Sequence, residues 1–453
     1  VDPRSSRLLL PLLFTGVLMG ALDLAIVGPA LPAIEAEFGM TPQQLSVLFN
    51  AYVLCQMLGT PLLAKVGDRV GARRAYVASI ALFAAGSALL VFATTPALLY
   101  VGRAVQGFGA GGIFPIAAAV IGNTLPPKER GPALGILGTV FGLAFIIGPV
   151  LGGLLLPFGW HWLFAINLPI AAVLAAGAFR LLPGPTAGAK KPVDSAGIVV
   201  LAALLAAFVI GMDRLDPAAL GASLGTWPVA GAFALVAVLL PVFWRIEQRA
   251  TDPIIRPGLF RSRPVVTAAL IGVGVGAIQA AGGYYPALAV GALGVSQSTA
   301  AWLQLPGVLV ATAASPVAGR LINRVGTRVL IAAGMALVAV SLLTFALAEL
   351  TIPVFVAASV LANIGLGGVL GAPLRMVMLD NCAPTERGAA QGLLSNFSSV
   401  GRLLGAAFVG MLAARVGGGA PGYQAAFVGV AVVAAVMAAL GLTLDGRRVA
   451  VPA

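Results

Sequence analysis

Apolar residues in this chain come in continuous runs of about twenty, separated by short polar breaks. A run of that length crosses the hydrocarbon core of a bilayer, about 30 Å thick, as an α-helix. Strands of a membrane barrel would instead alternate polar and apolar residues over about ten positions. The runs predict helices over 8–33, 43–64, 75–93, 97–122, 132–156, 162–182, 195–213, 227–246, 265–290, 297–319, 328–347, 352–374, 388–414 and 422–443. The expected fold class is therefore an all-α polytopic membrane protein with fourteen transmembrane helices.

Composition agrees with that pattern. Of 453 residues, 60% are hydrophobic and 9% charged, against about 25% charged in soluble domains. Mean hydropathy is +1.03. A soluble enzyme, a disordered chain and a secreted disulfide scaffold are excluded. The two cysteines, Cys55 in a span and Cys382 in a loop, read as reduced or buried thiols. The apolar run from Leu8 is too long for a cleavable signal peptide, and the Val-Asp-Pro opening reads as a processed end.

The distribution of charge orients the spans. Of the 27 basic residues, Arg214 and Arg415 fall at one side and Arg103 and Arg402 inside spans. All the others fall at the opposite side, among them Lys65, Arg69, Arg73, Arg74, Lys128, Arg130, Lys190, Lys191, Arg256, Arg375, Arg387, Arg447 and Arg448. Basic loops stay in the cytoplasm. Both termini are therefore expected in the cytoplasm of a bacterial cell, with the chain crossing its plasma membrane.

The chain also repeats itself. Pro61–Arg73 contains Gly67-Asp-Arg-Val-Gly71-Ala-Arg73, and Pro316–Arg328 contains Asn323-Arg-Val-Gly326-Thr-Arg328. Glu129-Arg130-Gly131, with Gly135 and Gly148, recurs as Glu386-Arg387-Gly388, with Gly392 and Gly405. The expected domains are a six-helix bundle at 1–182, a linker with two inserted helices at 183–264, and a second six-helix bundle at 265–453. Parallel repeats of this kind typify transporters that rock about a site between their halves.

The motifs within these repeats resemble those of the major facilitator superfamily, and within it the fourteen-helix drug:proton antiporters. Gly67-Asp68-Arg69-Val70-Gly71-Ala72-Arg73-Arg74 is similar to the superfamily loop between helices 2 and 3. Arg103-Ala-Val-Gln106-Gly107 resembles the Arg-x-x-Gln-Gly signature of helix 4. Gly148-Pro149-Val-Leu-Gly152-Gly153 resembles the antiporter signature of helix 5, with Ala144 in place of its leading Gly. Ala21-Leu22-Asp23 with Pro29-Ala-Leu-Pro32, and Trp160-His161-Trp162-Leu-Phe164-Ala-Ile166-Asn167-Leu-Pro169, resemble signatures of the fourteen-helix family. His161 stands where that family has Arg.

Each motif has a physical reading. Gly67 and Gly71 permit a tight turn, and Asp68 can cap a helix start or pair with a neighbouring Arg. The resemblance implies that Gly67, Asp68, Arg69, Gly71 and Arg73 latch the halves on the cytoplasmic side when the carrier faces outward. It also implies that Gly148, Pro149, Gly152 and Gly153 seal the outer side. A plain basic anchor and ordinary close packing are the simpler alternatives.

Charges inside spans are rare and functional by default. Asp23 is the acid deep in a span, and Arg103 lies at a similar height. A desolvated carboxylate favours its neutral form, and a nearby Arg restores the charged one. The pair is expected to carry proton coupling, paired when facing the cytoplasm and separated when loading a proton outside. Asn50, Tyr52, Gln56, Phe145, Gln279, Tyr284, Tyr285, Gln304, Asn396 and Arg402 are the polar or aromatic candidates for a substrate cavity.

The expected function is a proton-coupled exporter of lipophilic compounds working by alternating access. The alternative is a lipid, metabolite or nutrient carrier of the same fold. With one deep acid, neutral or monocationic amphiphiles are the expected substrates. No catalytic constellation, metal cluster or phosphate loop stands out. The expected coupling ion is the proton, with no cofactor and no metal, and the expected partners are membrane lipid and small lipophilic substrates. No nucleic-acid partner is expected, and the protein is expected to be a monomer.

Overall fold

A computed structural model describes residues 3–40, 42–182, 184, 194–216, 219–251, 253–417 and 419–444. Lys190, Lys191, Arg447, Arg448 and most of the 183–194 linker lie outside the described residues, as do the side chains of Phe145 and Pro149.

Among the described residues the chain is helical, with no strands. The spans are α1 (Pro3–Phe38), α2 (Pro42–Val70), α3 (Ala72–Val91), α4 (Pro96–Thr124), α5 (Pro127–Leu155) and α6 (His161–Leu181). Two inserted spans follow, α7 (Ser195–Asp213) and α8 (Trp227–Arg249). Next come α9 (Arg263–Leu293), α10 (297–325), α11 (327–347), α12 (Ile352–Asp380), α13 (Arg387–Arg415) and α14 (Gly419–Leu442). Several helices run one to two turns beyond the apolar stretch that predicts them, because their ends continue into polar water-side turns.

Thirteen continuous helical segments are long and apolar enough to cross a membrane. The count of fourteen is reached because Gln297–Leu347 holds two spans, broken at Gly326 with φ 82° and ψ 164°. Gly71 ends α2 with the same backbone, φ 93° and ψ 148°. Both glycines sit at the matching place of the repeated motif, in a conformation that a Cβ would strain. Elsewhere the ends are set by side chains. Thr95 accepts from the Leu98 amide at 3.4 Å with Pro96 at the first helical position, and Asp194 accepts from the Gly197 amide at 2.8 Å.

The buried apolar side chains separate largely by position in the chain, with Ile322, Ala372, Met376 and Leu379 of the second half joining the first core. One core gathers Leu13, Tyr76, Phe83, Ile116, Leu137 and Leu174 from α1–α6, and another gathers Ile271, Met335, Phe345, Phe355 and Phe427 from α9–α14. A smaller core joins Met57 of α2 to Leu201, Leu205 and Val209 of α7 and Phe243 of α8. The inserted pair thus rests on α2 of the first half, with Val400 and Leu403 of α13 packed against the same core.

The ends of the bundle that carry Asp68, Lys128, Asn323 and Arg387 lie together; this is called the basic end below. Hydrogen bonds between the halves at described residues run from there to mid-depth, ending at Asn396 Nδ2 to the Met57 carbonyl at 3.0 Å. Toward the other end α5 carries exposed Val150 and Leu154, and Gly153 looks onto open space. The halves are closed at the basic end and parted above it.

Candidate functional site

Five helices of the first half converge on one buried polar network. Arg103 and Gln106 stand one turn apart on α4, so both face α1. Arg103 Nη1 lies 2.6 Å from Asp23 Oδ2 and donates to Gln106 Oε1 at 2.7 Å. Gln106 Nε2 donates to Asp23 Oδ1 at 2.7 Å and to Ser87 Oγ of α3 at 2.9 Å. Asn167 of α6 reaches Ser87 Oγ at 3.3 Å. Tyr52 of α2 lays its ring under the guanidinium, 4.2 Å from Cζ to the centroid, a cation–π contact.

Asp23, Arg103, Gln106, Ser87 and Tyr52 have no exposed surface. Buried charge is tolerated where both partners are paired and hydrogen-bonded, and removing one partner from such a pair costs about 3–5 kcal/mol. The network is incomplete on one side. Arg103 Nε and Nη2 and the Tyr52 hydroxyl have no hydrogen-bond partner.

The seam at the basic end is built from helix starts. Asp68 Oδ1 accepts from the Gly388 amide at 3.3 Å and Oδ2 from the Ala389 amide at 3.0 Å. These amides belong to the first turn of α13, where backbone donors are unsatisfied and the helix dipole favours an anion. The second copy of the motif works without charge, since Asn323 Nδ2 donates to the Lys128 carbonyl at 2.8 Å. Arg387 donates to the Gly122 carbonyl and to Asn123 Oδ1 at the end of α4. Gly67 and Arg73 serve the first half: Gly67 lies against Ala75 and Ile116, and Arg73 Nε donates to the Leu182 carbonyl at 2.8 Å. Arg69 sits in the last turn of α2.

A strap from the insert reinforces this seam. Lys65 of α2 donates to the Pro253 carbonyl at 2.7 Å, and three residues later Arg256 pairs with Glu386 before α13. Beside the strap, a groove of about 1010 Å³ opens between the end of α8 and residues 380–386. It is separate from the Asp23 network.

The glycines of α5 divide between two surfaces. Gly135 and Gly138 meet α10, where Ser315 Oγ donates to the Gly135 carbonyl at 2.8 Å. Gly148 lies against Ala25 of α1 in its own half, Gly152 is buried and Gly153 is open. Among the described residues, neither Gly148 nor Gly153 lies against the second half.

Several cavity candidates have other places. Tyr52 belongs to the Arg103 network. Tyr285 is core, its ring centroid 4.7 Å from Phe345 and 5.6 Å from Phe427. Asn396 is spent on the seam. Asn50 bonds Asp213 at the end of α7, fixing the insert to α2. Tyr284 is half-buried and donates to the Ala406 carbonyl at 3.3 Å. Gln56, Gln279 and Gln304 keep part of their surface, and Arg402 is exposed. Arg375, expected in a loop, is buried in α12 with its Cζ 3.8 Å from the Phe114 ring centroid of the other half. The Asp23–Arg103 pair is formed while the basic end is shut.

A family model described as "Major Facilitator Superfamily" matches residues 13–285 and 267–452. The chain belongs to this superfamily. It is a multi-pass membrane protein with the fold of a transporter. Among bacterial relatives, the Multidrug transporter protein MdtP of Bacillus subtilis (strain 168) is 31% identical over 415 residues, 88% of this chain and 74% of its own. The Riboflavin transporter RibZ of Clostridioides difficile (strain 630) is 27% identical over 417 residues, 89% of this chain and 88% of its own. The crystal structure of the human organic anion transporter MFSD10 (TETRAN) superposes with a TM-score of 0.71 at 18% identity, covering 97% of this chain and 100% of that one. That likeness is one of fold.

Within this superfamily fold, sequence reasoning passed over four participants. Gln106 and Asn167 stood inside quoted motifs, and the three-residue step from Arg103 to Gln106 was the available signal. Ser87 carried none. Phe114 is an ordinary apolar residue by sequence, and only the approach of α12 gives it a cation to cover.

Proposed function

We propose that this protein is a proton-coupled antiporter that exports lipophilic compounds across the bacterial plasma membrane by alternating access. The basic end faces the cytoplasm, as the distribution of Lys and Arg favours. The closed seam and the parted far end then correspond to an outward-facing carrier.

The observation that carries this reading is the sealed Asp23–Arg103–Gln106 triad. In the outward-facing form Asp23 is held as a carboxylate by Arg103. A proton arriving from outside competes with Arg103 for Asp23. Once Asp23 is neutral, Arg103 loses its charged partner, and the hold of α1 on α4 is loosened. Reopening at the basic end exposes Asp23 to the cytoplasm, where the proton leaves and the pair re-forms.

Similarity to a multidrug transporter supports export of lipophilic compounds. Similarity to a riboflavin transporter supports the second reading, a metabolite carrier. Reconstitution into proteoliposomes with an imposed pH gradient separates them. An antiporter moves substrate against the proton flow and stops when a protonophore is added. A symporter moves it with the flow.

A further inference from the structure

Arg402 sits midway along α13. It lies deep inside the bundle, yet its side chain is exposed. On the helix it shares a face with Gln391 and Ser395, opposite lipid-side Leu404. Those facts place its guanidinium on the wall of the parted cleft. Nη2 donates to Ser399 Oγ at 3.0 Å, one turn back on the same helix. Among the described residues no carboxylate pairs with it.

An arginine remains charged at any working pH. A cation at mid-membrane depth without a counter-charge is costly and marks a binding site. The usual candidate for a counter-charge is Asp23, and it is already taken by Arg103 and has no exposed surface. A second unpaired cation, Arg375, lies deeper on the same half, covered by Phe114 and held by Gln391 Oε1 at 3.2 Å. Gln391 is eleven residues before Arg402, ~16 Å along the helix. Arg402 therefore puts a positive charge on the cleft wall, with that of Arg375 buried beneath it. The expectation of neutral or monocationic substrates counted Asp23 as available, and the structure has it closed off.

We propose that Arg402 anchors an anionic group on the transported compound, so that the substrates are amphiphilic organic monoanions with an apolar body and a carboxylate or sulfonate. This rests on the reading of the protein as an exporter of lipophilic compounds and narrows it. Guanidinium pairs with such groups through two parallel N–H donors. The apolar body follows from the reading of the substrates as lipophilic.

The test uses two fluorescent probes with one apolar body, 8-anilinonaphthalene-1-sulfonate and the uncharged N-phenyl-1-naphthylamine. Binding is read at equilibrium in lipid nanodiscs holding the full chain, without any gradient. Wild type is expected to bind the sulfonate at least tenfold more tightly than the neutral probe. Arg402→Gln is expected to lose at least tenfold in sulfonate affinity and less than twofold in neutral-probe affinity. Arg402→Lys should keep most of the sulfonate binding. On wild type alone, decanesulfonate should displace the sulfonate probe at a tenfold lower concentration than decyltrimethylammonium does. Equal displacement by the two detergents, or equal sulfonate affinity in wild type and Arg402→Gln, would overturn the proposal. Arg402-dependent sulfonate binding in a protein that shows no pH-driven flux upholds the anion site and counts against antiport.

Discussion

Asp68 of α2 and Ala389 of α13 are joined by a 3.0 Å hydrogen bond across the boundary between the halves, so a carboxylate of one half caps a helix of the other. Hydrogen bonds to a charged group contribute about 1.5–3 kcal/mol each. Asp68→Asn removes the charge with little change in volume. It is expected to weaken closure at the basic end by roughly tenfold and to slow turnover, leaving thermal stability nearly unchanged. Spin labels on exposed Arg74 and Arg328, one in each half, should show a larger long-distance population. Unchanged turnover and distances would reduce the loop to a basic topology anchor.

Gly135 tests the same seam sterically. A Cβ there would lie 2.7 Å from the Ser315 carbonyl oxygen and 2.9 Å from Pro316 Cα. Overpacking of this kind costs about 1–3 kcal/mol, and it falls only on conformations with the basic end closed. Gly135→Val should therefore shift the Arg74–Arg328 distance distribution outward and impair transport. A wild-type distribution would show that α10 gives way locally.

Orientation is tested in intact cells with a membrane-impermeant maleimide, in a Cys55→Ser, Cys382→Ser background. Glu349→Cys, exposed beyond the end of α11, should be labelled, and Arg249→Cys, exposed at the end of α8, should not. The reverse pattern would invert the proposed topology.

Cys382 has a pH signature of its own. Burial pushes its thiol up to about 12, with Arg387 acting weakly in the opposite direction. Only the thiolate is nucleophilic, and the ordinary thiol value is about 8.5. In detergent, maleimide modification of Cys382 in a Cys55→Ser protein should be slow at pH 7.5. It should rise about tenfold per pH unit up to pH 10. A rate that levels off near pH 8.5 would mean that Cys382 is open to water.

The spans, the insert and the internal repeat were legible in the sequence, because membrane helices must be continuous and apolar. The Gly67–Arg73 turn and its copy at Asn323–Arg328 revealed the two halves. The pairing of Asp23 with Arg103 could be anticipated from depth alone. Their closure by Gln106, Ser87 and Tyr52 could not, because helix rotation decides it, and hydropathy does not record rotation in an all-apolar helix. The same limitation explains Tyr285, read as cavity wall and found among Phe345 and Phe427. It also explains Arg375, read as a loop cation and found stacked on Phe114. Cross-half contacts such as Asp68 with Gly388 and Ala389 join residues far apart in the chain, and a single sequence holds no record of them.

In the proposed cycle Asp23 carries the coupled proton while Arg103 holds its charged form. In proteoliposomes with an imposed pH gradient, Asp23→Asn is expected to abolish uphill efflux while downhill exchange and substrate binding persist. Arg103→Ala should impair coupling more than Arg103→Lys. Each charge moved across 100 mV is worth about 2.3 kcal/mol, so loss of the coupled proton should be plain in the steady-state gradient. Full proton-driven efflux by Asp23→Asn would rule out Asp23 as the proton carrier and move the proton site away from the Asp23–Arg103–Gln106 network.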